Sequence, residues 1–164
     1  MNPIQRDRLW KRIRNEAPAL RDDTCWRLGR DIVPVGGILP DIVPALDIIF
    51  ARWRESRKSI SFQTLDFLCE VARRVAYPDP AGWRFGPNQP DEALAIATAV
   101  ETKFHEHAEF LTERYWTERR GDSTMERLWL ELMLCVAVTS RTILPDTLTG
   151  VRNLRDAEHQ SYLA

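Results

Sequence analysis

The densest apolar stretch of the chain runs from Leu128 to Val138, Leu-Trp-Leu-Glu-Leu-Met-Leu-Cys-Val-Ala-Val, and carries a single charge. Ser123 stands three positions before Glu126, the spacing of a capping box in which two side chains satisfy amide donors at a helix start. The pattern predicts a helix over about residues 124–143, apolar on almost every side and therefore surrounded by protein. It is the expected central strut of the fold. Glu126, Arg127, Glu131 and Arg141 leave it well short of the roughly 20 apolar residues that cross a bilayer, so no membrane span is expected.

Helical periodicity recurs upstream. Asn2-Pro3 opens a first helix, with Ile4, Leu9 and Ile13 along one side as far as Asn15, and Pro18 ends it. A short second helix is predicted from an Asp22 or Asp23 cap to Gly29, with Cys25, Trp26 and Leu28 as its apolar contacts. A third runs from Pro44 to about Arg57 with Leu46, Ile49, Phe50 and Trp53 on one side, and a fourth from a Ser59 or Ser61 cap to Tyr77. The fourth carries Leu65, Leu68, Cys69, Ala72, Val75 and Ala76 as a stripe that Phe67 and Val71 widen. One long helix is predicted from Asp91 to Trp116, where Ala93, Ala97, Val100, Phe104, His107 and Leu111 make a seam suited to antiparallel packing on the central strut. Arg119-Arg120-Gly121-Asp122 turns the chain between those two, and an amphipathic segment from Asp146 or Thr147 to Tyr162 closes it.

Two stretches break the periodicity. Residues 31–44 set three prolines and Gly36-Gly37 among aliphatic residues, which suits neither a helix nor a central strand and predicts an ordered apolar loop packed on the core or on a partner. Residues 78–90 hold four prolines and two glycines, a long loop that Trp83 and Phe85 would anchor. The flanking pieces are each small for a core of their own, so residues 1–164 are read as a single domain: an all-α irregular bundle of five to seven helices around the buried 124–143 helix.

Charge changes this picture little. Residues 1–85 carry 15 Lys or Arg against 11 Asp or Glu, and residues 86–164 carry 8 against 13, so the halves are near +4 and −5. A basic face opposite an acidic one is allowed, but the excess is small for a free-standing nucleic-acid binder. Cys25, Cys69 and Cys135 are odd in number and widely spaced with apolar neighbours, which points to buried or semi-buried thiols in a reducing compartment. With no apolar signal region at the N-terminus, the expected location is cytoplasmic.

Candidate chemistry is sparse. Glu101, His105 and Glu109 follow one another at i, i+4 and could offer a divalent metal one helix face, although neither the His-Glu-x-x-His of zinc proteases nor the paired Glu-x-x-His of di-iron bundles is present. His107 falls on the apolar side of the same helix and His105 on the polar side. No Gly-x-Ser-x-Gly elbow and no glycine-rich phosphate loop occurs, so neither catalytic residues nor a cofactor is expected. Tryptophan and arginine are what the chain has in quantity: 6 Trp, and arginine as 20 of the 23 basic residues. Aromatic and basic residues stand together at Trp10-Lys11-Arg12, Trp26-Arg27, Arg52-Trp53-Arg54 and Trp83-Arg84, and aromatics at Tyr115-Trp116, with Arg57 and Lys58 completing a cluster after the third helix. Tryptophan and arginine are both enriched at binding hot spots. The sequence therefore predicts a non-enzymatic interaction protein, meaning a helical subunit, an adaptor, or an inhibitor or immunity-type partner. The second reading is a small subunit of a nucleoprotein complex whose N-terminal-half arginines and tryptophans meet the nucleic-acid backbone. The third is a metal-dependent enzyme.

Overall fold

The computed structural model describes residues 1–34, 37–76, 90–119 and 123–139, and among these it is all-helical. Seven helices follow in order: α1 Pro3–Glu16, α2 Asp22–Asp31, α3 Ile42–Glu55, α4 Phe62–Ala76, α5 Pro90–Glu106, α6 Ala108–Glu118 and α7 Ser123–Thr139. They form an irregular bundle around one continuous apolar cluster. The Pro-rich loop apart from Pro90, the 119–122 turn apart from Arg119, the end of the 124–143 helix and the closing amphipathic segment lie outside the described residues.

Local chemistry explains most of the boundaries. Asn2 caps α1 by accepting the Gln5 N–H at 2.8 Å, while the Gln5 side chain returns to the Asn2 N–H. Leu9, Trp10 and Ile13 are the buried face of α1, and Ile4 is not part of it, being 66% exposed. Asp7 and Arg8 flank the next turn beneath Ile4, so its stretch of the helix faces water. α2 begins one residue earlier than a cap at Asp22 would allow, with Arg21 as N-cap, and continues through Gly29 to Asp31. α3 starts at Ile42 rather than Pro44, and Leu46, Ile49, Phe50 and Trp53 are all fully buried. Ser61 is the cap of α4, its hydroxyl accepting the Thr64 N–H at 3.2 Å.

The described part of the apolar 31–44 stretch that precedes α3 packs on the core. Ile32, Val33 and Ile38 are buried, and Arg74 of α4 latches the loop by donating to the carbonyls of Pro34 at 2.6 Å and Gly37 at 2.7 Å.

Two expectations need correction. The long helix is two: α5 ends at Glu106, the His107 N–H bonds the Phe104 carbonyl, and α6 restarts at Ala108. The seam residues Ala97, Val100, Phe104 and Leu111 are nonetheless buried. The chief partner of α7 is α4, not the α5–α6 pair. α4 buries Leu65, Phe67, Leu68, Cys69, Val71, Ala72 and Val75, and α7 buries Leu128, Trp129, Leu132, Met133, Cys135 and Val136. Cys69 Sγ donates to the Leu128 carbonyl at 3.0 Å, and Arg73 meets Glu131 at 2.6 Å along the same contact. α7 is thus a central helix, with α4 as its chief neighbour and Leu130 and Leu134 only half-buried. Among the described residues no helix is long and apolar enough to cross a membrane.

Candidate functional site

The Trp/Arg cluster at the end of α3 separates into different roles. Trp53 is fully buried, 5.1 Å from the Phe110 ring and 5.8 Å from Trp129 between centroids. It belongs to the core and offers no surface. Arg52 is exposed but engaged, donating to the Arg14 carbonyl at 3.0 Å, which ties α3 to the end of α1, and to Glu55 at 2.8 Å. The Arg54 guanidinium stands 5.2 Å over the Phe110 ring. Arg57 and Lys58 are exposed on the turn between α3 and α4 and have no acidic partner among the described residues. That turn is pinned from α6: Arg114 donates to the Ser56 carbonyl at 3.1 Å, and the Glu118 carboxylate, itself paired with Arg114, accepts the Ile60 N–H at 2.8 Å.

α2 presents a different surface. Thr24 and Leu28 anchor its inner side. Trp26 projects outward, 62% exposed, contrary to its expected role as an apolar contact. Asp22, Asp23 and Arg30, three and four residues away, make that side of the helix polar. The Arg30 guanidinium sits 4.5 Å from the centre of the indole and pairs with Asp31, while Arg27 is exposed alongside. Asp23 pairs with Arg12 of α1, whose guanidinium holds its carboxyl below the usual range. The thiol of the neighbouring Cys25 is pushed up to about 12, chiefly by burial and then by Asp22, which keeps it protonated near neutrality.

A second exposed indole of this kind is Trp116, 39% exposed, with the Arg119 guanidinium 4.2 Å from its centre. Sequence reading took Arg119 only as a turn residue; its i, i+3 spacing from Trp116 was the available signal. Trp83 and Arg84 lie outside the described residues.

The Glu101, His105 and Glu109 face does not assemble. Glu109 falls after the break at His107, so the i, i+4 register that would align it with His105 is lost. His105 and Glu109 instead border an open cleft of about 550 Å³ with Arg54, Glu106, Phe110 and Glu113. No group of three metal-ligating side chains is found among the described residues. No protein-family model matches the chain, and no curated protein or solved structure matches it.

Proposed function

We propose that this chain is a non-enzymatic interaction protein, a helical subunit, adaptor, or inhibitor or immunity-type partner, that binds another protein through the outer face of α2. One observation carries the reading: Trp26 stands 62% exposed on a helix whose other side is anchored in the core, with a guanidinium stacked on it. An indole left in water forfeits the burial that favours folding, and a protein partner recovers it on binding. Trp and Arg are also the residues most often found where truncation costs an interface most. Arg27 and Arg30 make the rim. The odd number and wide spacing of Cys25, Cys69 and Cys135 support a reducing, cytoplasmic setting.

The test places a photo-crosslinking residue at position 26 in the native host, with Trp26→Ala and Arg27→Ala variants compared by pull-down. A specific protein crosslinked at position 26 and lost from both variants is the expected result. Retention of every partner by Trp26→Ala would overturn the reading.

The nucleoprotein alternative draws on Arg57 and Lys58, cationic and free of acidic partners among the described residues on a turn held in place by Arg114 and Glu118. It is weaker, because Arg6, Arg12, Arg21, Arg30, Arg52, Arg73, Arg74 and Arg114 are engaged by carboxylates of the same chain. A phosphate would have to displace those pairs. The metal-dependent enzyme reading has no geometry to support it among the described residues.

A further inference from the structure

The joint between α5 and α6 consists of a single residue, His107, whose backbone leaves the helical region at φ −108° and ψ 6°. Its ring turns into the molecule. The imidazole stacks on Phe50 with centroids 4.2 Å apart and planes at 25°, and Nδ1 is enclosed with no hydrogen-bond partner among the described residues. Phe50 is fully buried, with the Phe104 ring edge-on at 5.9 Å, so the imidazole rests on the rim of the aromatic core.

The charges around it, two carboxylates against two cations, balance without an imidazolium. α3 contributes Asp47 and Arg54, and α5 contributes Lys103 and Glu106. Lys103 Nζ lies 3.0 Å from Asp47 and 3.1 Å from Glu106, so both carboxylates already share a cation. Arg54 opposes a further positive charge, and on α6 Glu109 is exposed to solvent. Protonation would therefore bury an added charge and turn Nδ1 into a donor without an acceptor. In agreement, burial, seconded by Arg54, holds the His107 pKa below its ordinary value of 6.5.

We propose that His107 makes the α5–α6 joint acid-sensitive: on taking a proton the imidazole leaves its seat on Phe50 and the joint opens. The first bond to weaken is the one from the Leu111 N–H to the His107 carbonyl, 2.9 Å long, which starts α6. The sign follows from linkage. A group whose native pKa is lowered takes its proton more readily in the open or unfolded state. Stability is therefore full above the ordinary imidazole value and falls as pH drops through it towards the lowered native value.

Hydrogen exchange of the intact protein, corrected for intrinsic rates, at about pH 7.5 and about pH 5.5 provides the test. A severalfold faster exchange at the lower pH is expected in the segment from Phe104 to Leu111, against little change in α4. His107→Leu should abolish the response and His105→Ala should keep it. An unchanged joint in the wild type, or the same response in His107→Leu, overturns the proposal. If His107→Leu does not fold, imidazole C–H shifts of the wild type decide: a His107 midpoint below the ordinary 6.5 supports it, and one at or above that value sinks it.

Discussion

Trp53 and Trp26 differ in what a truncation would remove. Trp53→Ala deletes an indole packed against Phe110 and Trp129 and leaves a cavity where α3, α6 and α7 meet, at a cost of about 3–5 kcal/mol. Trp26→Ala deletes a side chain mostly in water and should stay within about 0.5 kcal/mol of the wild type. Urea unfolding followed by circular dichroism measures both; a loss from Trp26→Ala comparable to that from Trp53→Ala would mean that the α2 indole belongs to the core. The distinction was open to sequence reading at the right spacing. Three and four residues before Trp53 stand Phe50 and Ile49, whereas the same offsets from Trp26 reach Asp23 and Asp22. Adjacent arginines say nothing about which way a tryptophan faces, because i and i+1 point in different directions on a helix. That is why Trp53 entered the candidate surface although it lies in the core.

Among elements, α2 is the one whose sequence works against it. Gly29 is predicted to end this helix, yet α2 runs on to Asp31 with Gly29 inside it. A Cβ added there meets nothing within 4 Å, so the glycine serves no close approach. Gly29→Ala should accordingly stabilise the protein by about 0.5–1 kcal/mol, through the backbone freedom that glycine keeps in the unfolded chain. A thermal melt that shows a lower midpoint would mean the alanine disturbs the Trp26 face or the start of the 31–44 loop. Other element boundaries divide by mechanism. Caps and prolines mark the start of α1 and α4 correctly because their hydrogen bonds are local. The break at His107 carries no glycine or proline and does not interrupt the seam from Ala97 to Leu111, so periodicity reads straight through it. Nor does apolar density name a partner: α7 has the longest apolar run, but α4 is its mate, a choice made by side chains nearly 60 positions apart, Arg73 with Glu131 and Cys69 with the Leu128 carbonyl.

For the whole molecule, ion pairs among the described residues engage part of the basic half: Arg6, Arg12, Arg21, Arg30, Arg52, Arg73 and Arg74 meet carboxylates. Lys103 of the acidic half meets Asp47 of the basic half, Arg73 meets Glu131 in the reverse sense, and most other pairs are formed within one half. Exposed pairs of this kind contribute about 0–1 kcal/mol each and fade as the screening length shrinks from about 10 Å at 0.1 M salt to about 3 Å at 1 M. The apolar cluster shared by all seven described helices is indifferent to screening. Raising NaCl over that range should therefore shift the urea midpoint only slightly, and a collapse of the midpoint would assign the fold to its ion pairs instead. The same titration separates the two binding readings. A protein held on the Trp26 face keeps most of its affinity, because the indole contributes by burial. A nucleic acid held through Arg57 and Lys58 loses affinity linearly in log salt, and reversing both charges should flatten that slope by about 2, one for each phosphate contact removed. A partner whose affinity is steep in salt, flattens on that reversal and ignores Trp26→Ala would move the binding surface from α2 to the pinned turn between α3 and α4.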